Sequence, residues 1–296
     1  MPAVSSAAIP MGDKSMIRLR FLAAFFAAGL ASAGYGGAAH AQRLVTGVDG
    51  TFAPHAMPKL GGGIEGFNVD MANEIAKRLG RPIEIQALEF SGLIPGLLSK
   101  RFDFIAAPTT VTEARARTLL FTEGYLATDF QFATRRGGAE VKSLDDLRGK
   151  KLAVNKGSAY ETWANENASR LGFTFDVYGT NPEAVQAVLA SRADANLAGN
   201  TVVAWAAKQN RQLVLGYTIR TGLVWAIPFR PDDKDGRDRV SMVVKCMKLD
   251  GSFARLHEKW FGFKPAADSV TAQPSAGHGV PGMPGYDDSL VTPVCR

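Results

Sequence analysis

The chain has 296 residues, enough for one large domain or two lobes at roughly 100–200 residues per domain. Hydrophobic residues make up 46% of it and charged residues 21%, a composition that supports a sizeable core and excludes a disordered or collagen-like polymer. The formal charge of +6 is modest and forms no Lys/Arg stripe, which argues against nucleic-acid binding.

Residues 1–41 read as a cleaved signal peptide. Arg18 and Arg20 form a basic start, and Phe21 to Ala33 is an apolar run of 13 residues. Ala39-His40-Ala41 then supplies a small-x-small cleavage pattern. At about 1.5 Å per residue the run is too short for a hydrocarbon core of ~30 Å. Met16 precedes the basic start directly, so either Met1 or Met16 can be the true first residue. The mature part carries 31 basic and 27 acidic residues. Export places the only two cysteines, Cys246 and Cys295, in an oxidising compartment, where a disulfide pinning the C-terminal tail to a helix is expected. Two separate free thiols are the alternative.

Along the mature chain, Arg43–Val48 reads as a strand, followed by a Pro/Gly-rich loop from Thr51 to Gly63. Met71, Ile75 and Leu79 fall on one face of a helix that Gly80 and Pro82 stop. Ile83–Leu88 alternates as a half-buried strand. A short helix over Leu93–Lys100 and a strand over Asp103–Ala107 follow. Thr112 is placed to cap a helix over Glu113–Leu119. In the second half, Ser143–Asp146 has a capping-box pattern and opens a short helix ended by Gly149. Strands are expected at Lys151–Val154, Phe173–Tyr178, Asp194–Leu197 and Leu223–Phe229. Helices are expected at Ala159–Leu171, from an Asn181 cap with Pro182 at the first helical position, near Thr201–Lys208, and over about Gly236–Leu249 and Phe253–Trp260. This alternation indicates an α/β chain with a largely parallel sheet. Residues 265–296 hold five Pro and four Gly and read as an extended tail.

Five stretches carry a resemblance. They are Gly66-Phe67-Asn68-Val69-Asp70-Met71-Ala72, Phe90 through Leu97, Thr110-Val111-Thr112-Glu113-Ala114-Arg115, Ser143–Gly149, and Asp250-Gly251-Ser252 through Glu258-Lys259-Trp260-Phe261-Gly262. In this order and spacing the chain, over about residues 43–264, resembles the periplasmic polar-amino-acid-binding proteins of ABC transporters, the family 3 extracellular solute-binding proteins. The resemblance implies two α/β lobes of the periplasmic-binding-protein fold, residues 43–128 with 223–264 and residues 133–217. Crossover strands would lie near 128–132 and 216–222. It also implies a monomer in the periplasm that closes on a small carboxylate-bearing solute and meets a permease in the inner membrane.

The same resemblance singles out ligand-binding residues. Arg115 matches an arginine that grips a ligand carboxylate, a role suited to its planar fork of donors. Thr110 matches a hydroxyl that bonds the same ligand, and Phe52 and Phe90 match aromatics that sandwich its aliphatic part. Gly157 and Ser158 stand before a helix, where N–H groups and a hydroxyl meet an anion or simply cap the helix. Asp49 is a candidate partner for a cationic ligand group. His55, Trp163 and Trp225 read as packing residues first and cleft residues second. Two departures stand out. Where the family carries an aspartate for the ligand ammonium, this chain has Gly199, leaving Asn200 as a neutral acceptor. Ala107, Pro108 and Ala159 stand where small or hydroxylated contact residues are usual, and Pro108 has no N–H to donate.

Two other functions are open to such a chain. One is an accessory or sensor role beside another periplasmic system. The other is a dehydratase of prephenate or arogenate on the same scaffold, but Gly199-Asn200-Thr201-Val202-Val203 lacks the glutamate that chemistry uses. No metal-spaced cluster, nucleophile elbow or phosphate loop is present, so no cofactor and no metal is expected.

Overall fold

The computed structural model describes residues 42–295, and the leader read in 1–41 lies outside them. Among the described residues no helix is long and apolar enough to cross a membrane. Leu44–Asp49 is buried at five of its six positions, as suits a strand covered on both faces. It is the middle of a three-stranded parallel sheet, between Ile83–Leu88 and Phe104–Ile105. Parallel neighbours need crossovers, and the helices Phe67–Arg78 and Leu93–Leu98 supply them.

The first crossover helix shows why its sequence motif has that form. Gly66 precedes it at φ 149°, and a Cβ there would collide with the His55 carbonyl, so only glycine fits. Phe67 stacks toward Tyr125 and Phe253 with centroids 6.2 and 6.3 Å away. Asn68 is fully buried and donates to Ala106 O at 2.6 Å and Tyr125 Oη at 2.7 Å. Asp70 accepts from Trp260 Nε1 at 2.8 Å and Lys259 Nζ at 2.6 Å, which fastens the helix Ser252–Phe261 to it.

The second sheet has six strands, in the order Thr174–Tyr178, Lys151–Asn155, Ala195–Gly199, Leu126–Arg135, Leu213–Ala226, Thr109–Thr110. Helices Ala159–Leu171, Asn181–Leu189 and Asn200–Gln209 connect its strands. The two long antiparallel strands, Leu126–Arg135 and Leu213–Ala226, pair at both ends, with register breaks between Leu215 and Thr218 and between Ile219 and Leu223. These are the crossover strands of a two-lobed α/β fold, and the breaks give them places to bend.

Local signals set most boundaries. Ser158 caps its helix by accepting from Glu161 N, and Gly172 ends the same helix at φ 72°. The next helix is capped by Thr180, one residue before the expected Asn181. Thr180 and Glu183 make a reciprocal capping box, with Pro182 in the first turn. The helix expected from Ser143 is only a 3-10 turn over Asp145–Leu147, because the Asp146 carboxylate accepts the N–H groups of Lys142 and Ser143. The Thr51–Gly63 loop contributes a small hairpin strand at Met57–Pro58 that pairs with Ile64–Glu65.

The C-terminal segment is a strap fastened to the helix Lys234–Leu249. A disulfide joins Cys246 to Cys295, with Cα atoms 5.4 Å apart and a sequence separation of 49. Lys245 and Lys248, both without side-chain exposure, converge on the buried Glu123. The strap closes over this cluster: Ser275 N and Oγ donate to Glu123 Oε2 at 3.1 and 2.8 Å, and Lys248 donates to Gln273 O at 3.2 Å. Closing a loop of this length restricts the unfolded chain by up to about 4 kcal/mol. The double variant Cys246→Ser/Cys295→Ser is therefore expected to lose about 2–4 kcal/mol in urea unfolding. A loss below about 0.5 kcal/mol, the scatter of surface substitutions, would show that the strap holds without its cross-link.

Candidate functional site

Between the lobes lies a small, nearly closed cavity of about 10 Å³ lined by Phe52, Phe90, Pro108, Thr110, Arg115, Asn155, Ser158, Ala159 and Tyr160. The parts come from strand exits and helix starts, where open α/β sheets expose a crevice. Arg115 stands one turn into the short helix Glu113–Ala116, whose N-cap Thr112 accepts from Arg115 N. Its side chain spans the lobes: Nη1 donates to Thr110 O at 2.9 Å, and Nη2 to Gly157 O at 3.0 Å. The guanidinium carbon sits 5.6 Å from the Phe90 ring centroid, a cation–π distance. Burial lowers its pKa to about 10, so it stays charged at neutral pH.

The cavity brings together Arg115, Thr110, Phe52, Phe90 and Ser158. Thr110 Oγ1 accepts from Trp225 Nε1 at 3.1 Å, so this hydroxyl is already oriented. Ser158 serves its helix, with Oγ donating to Asn155 O at 2.5 Å and accepting from Glu161 N. Gly157 contributes a carbonyl to Arg115, while its N–H is taken by Glu161 Oε2 at 2.5 Å. The Gly157 N–H and the Ser158 hydroxyl are thus engaged within that helix start.

Asp49 and Asn200 fall outside the cavity wall. Asp49 is 1% exposed and turns back on its own loop, with Oδ1 accepting from Thr51 N and Oγ1 at 3.0 and 2.7 Å. Burial raises its pKa, against the opposing Thr51 hydrogen bonds. Asn200 starts the helix Asn200–Gln209 and lines a separate groove with Gln131, Trp205, Trp260 and Phe263.

Three residues gain importance. Asn155 and Tyr160 line the cavity, and Trp225, fully buried, backs it. A Cβ on Gly199 would lie 2.8 Å from the Trp225 indole and 2.9 Å from Tyr160 Oη. The place open to a side chain at position 199 is therefore filled by Trp225 from the other lobe and Tyr160 from its own. Sequence spacing holds one clue to Tyr160, which stands in the first turn after the Ser158 cap, at a crevice-facing strand end. Trp225 reads in sequence as a cleft residue only second to packing, because it arrives from a strand far away in sequence. Trp163 packs in the core, its ring 5.8 Å from Phe173 and stacked on it.

His55 forms a second contact between the lobes. Its Nδ1 lies 2.9 Å from Asn68 Oδ1 and its Nε2 2.8 Å from Thr201 Oγ1. Since Asn68 Nδ2 is engaged with Ala106 and Tyr125, its Oδ1 accepts, which assigns the proton to His55 Nδ1. Nε2 then accepts from Thr201. Full burial among Phe52, Phe67, Trp225 and Phe261 lowers the imidazole pKa to about 3.

Residues 44–263 match the family model of bacterial extracellular solute-binding proteins, family 3. The chain belongs to that family. Among relatives of this family 3 protein, the L-cystine-binding protein TcyJ of Escherichia coli (strain K12) is 28% identical over 221 residues, covering 74% of this chain and 82% of its own. A solved ancestral arginine-binding protein bound to arginine is similar at TM-score 0.72 and 30% identity, covering 75% of this chain and 100% of its own. The ancestral amino acid-binding protein AncCDT-1, a precursor of cyclohexadienyl dehydratase, is similar at TM-score 0.69 and 29% identity, covering 74% and 95%. The family 3 solute-binding protein thus has its two lobes meeting at a cavity with one guanidinium, in a fold whose relatives bind small molecules in solved structures.

Proposed function

We infer that this protein captures a small carboxylate-bearing solute in the Arg115 cavity by lobe closure and delivers it to an ABC permease from the periplasm. The observation that carries this reading is the Arg115 fork, which donates to Thr110 O on one lobe and Gly157 O on the other inside an aromatic-walled cavity. A carboxylate held there touches both lobes at once. It favours the closed state because that state alone offers all its donors. Phe52 and Phe90 supply flat apolar walls, and low local polarity strengthens the ion pair. The names of the relatives, binding proteins for cystine and arginine, support an amino acid or a similar acid as the solute class. The likeness to a dehydratase precursor keeps turnover as a second reading. Binding is favoured because the cavity wall offers a guanidinium but neither carboxylate nor imidazole for proton transfer.

Arg115→Met keeps much of the side-chain bulk and removes the donors. It is expected to weaken binding of the co-purified solute at least 100-fold in calorimetry, since charge-assisted bonds contribute about 1.5–3 kcal/mol each. Unchanged affinity would place the solute elsewhere.

A further inference from the structure

The charges around the cavity are unbalanced. Its wall contains one fixed cation, Arg115, and no carboxylate. No acidic residue of the neighbouring segments reaches the wall. Asp49 is buried outside it, with Oδ1 accepting from Thr51 and Oδ2 without a partner, Glu161 takes the Gly157 N–H, and Glu113 pairs with Arg117. Glu89 lies beside Gly179 and outside the wall. The two groups that close the cavity near Gly199 are also neutral. Tyr160 is pushed up in pKa by burial and remains a phenol, and Trp225 offers only an indole whose N–H is committed to Thr110. The space beside the Gly199 Cα cannot take a carboxylate side chain, because Trp225 and Tyr160 occupy it. Nothing in the wall compensates a second positive charge, and a ligand ammonium would meet the guanidinium in a poorly screened space.

We propose that the cavity selects a carboxylate whose α-substituent is uncharged, a 2-hydroxy, 2-oxo or unsubstituted acid, over the α-amino acid of the same skeleton. This rests on the capture reading above and narrows its solute class. Arg115 holds the carboxylate. Tyr160 Oη and the Thr110 hydroxyl are neutral hydrogen-bonding groups suited to a hydroxyl or carbonyl, and Asn155, whose Nδ2 is engaged with Tyr178 O and Gly179 O, offers its amide oxygen. The aromatic faces of Phe52 and Phe90 cover a short apolar remainder. At about 10 Å³ the cavity is nearly closed on its own walls, far below the roughly 300–1,000 Å³ of ligand pockets, so a solute of this class enters as the lobes part.

The test is calorimetry of the mature chain at pH 7 with matched triplets: L-alanine, L-lactate and pyruvate, then L-valine, L-leucine and L-phenylalanine with their 2-hydroxy and 2-oxo counterparts. Native mass spectrometry of the protein as purified is the second measurement. A hydroxy or oxo acid binding at least ten-fold more tightly than its amino acid, with binding lost in Arg115→Met, supports the proposal. So does a co-purified acid without an amine. Amino acids binding as tightly or more tightly, with the same loss in Arg115→Met, overturn it while leaving the capture reading intact. Binding that survives Arg115→Met overturns the site, and the proposal with it. No binding by any triplet member, together with a co-purified amine-bearing ligand or none, also overturns it.

Discussion

Replacing Glu123 by Ala is expected to destabilise the protein by about 3–5 kcal/mol, the cost typical of leaving a buried charge unpaired. Glu123 is 1% exposed, and both lysines that meet it, Lys245 and Lys248, have no side-chain exposure. Burial pulls the Lys248 pKa down, and the neighbouring Glu123 charge pulls it back up. Without Glu123, two ammonium groups would share a dry site, where like charges repel with little screening. The strap would also lose its acceptor for Ser275 N and Oγ. Two measurements are therefore expected to move together. Urea unfolding should shift by the stated amount, and limited proteolysis should cut within 265–295 before the rest of the chain. The triple variant Glu123→Leu/Lys245→Met/Lys248→Met should recover most of the loss, because apolar side chains of similar volume need no charge compensation. A loss under 1 kcal/mol for Glu123→Ala would mean that water or a rearranged lysine neutralises the site.

The second large effect is a pH dependence centred on His55. Its imidazole is fully buried in the folded chain, with the pKa lowered from 6.5 to about 3. Above about pH 6.5 it is neutral in both folded and unfolded chains, so stability is fully present there. Below that value the unfolded chain takes up a proton that the folded chain resists until about pH 3. Stability therefore falls as pH drops through this window, by up to about 1.4 kcal/mol per pH unit. By pH 4.5 the loss reaches the order of 2–3 kcal/mol. Protonation would also leave Nε2 unable to accept from Thr201, loosening the bond between lobes. Carboxylates titrate in the same range, so the informative quantity is the difference from His55→Gln. Chemical denaturation from pH 7.5 to 4.5 should show a steeper decline in the parent than in the variant. Parallel curves would mean that His55 is hydrated enough to protonate freely.

The two effects differ in how visible they are before folding. His55 stands in a loop whose Pro and Gly content says only that the chain turns there. Its burial comes from Phe67, Trp225 and Phe261, three elements brought together by the fold. Glu123, Lys245 and Lys248 look like ordinary surface charges, and Lys245 and Lys248 fall three residues apart on a helix. They are buried because a strap lacking enough apolar residues for a core still covers polar groups well, through its carbonyls and Ser275. The strap's contribution is thus electrostatic closure, which hydrophobic periodicity does not report.

Short-range physics was legible throughout. The apolar face at Met71 and Ile75, the caps at Thr112 and Ser158 and the left-handed stop at Gly172 depend on residues within a few positions of each other. So does the strand and helix alternation that fixes an α/β chain. The resemblance carried by Gly66–Ala72 and Thr110–Arg115 added the two lobes and singled out Arg115. What the sequence could not determine was which polar groups share a cavity. Asp49 and Arg115 are equally plausible ligand groups by type, yet one is folded under its own loop and the other spans the lobes. Gly199 appeared as a missing aspartate, while the tertiary structure gives the reason: Trp225, from a strand 26 positions later, and Tyr160 fill that space. Local hydrogen bonding and steric rules act between chain neighbours and can be read from order alone. Cavity shape and charge balance are set by side chains far apart in sequence, and only the packed lobes decide them.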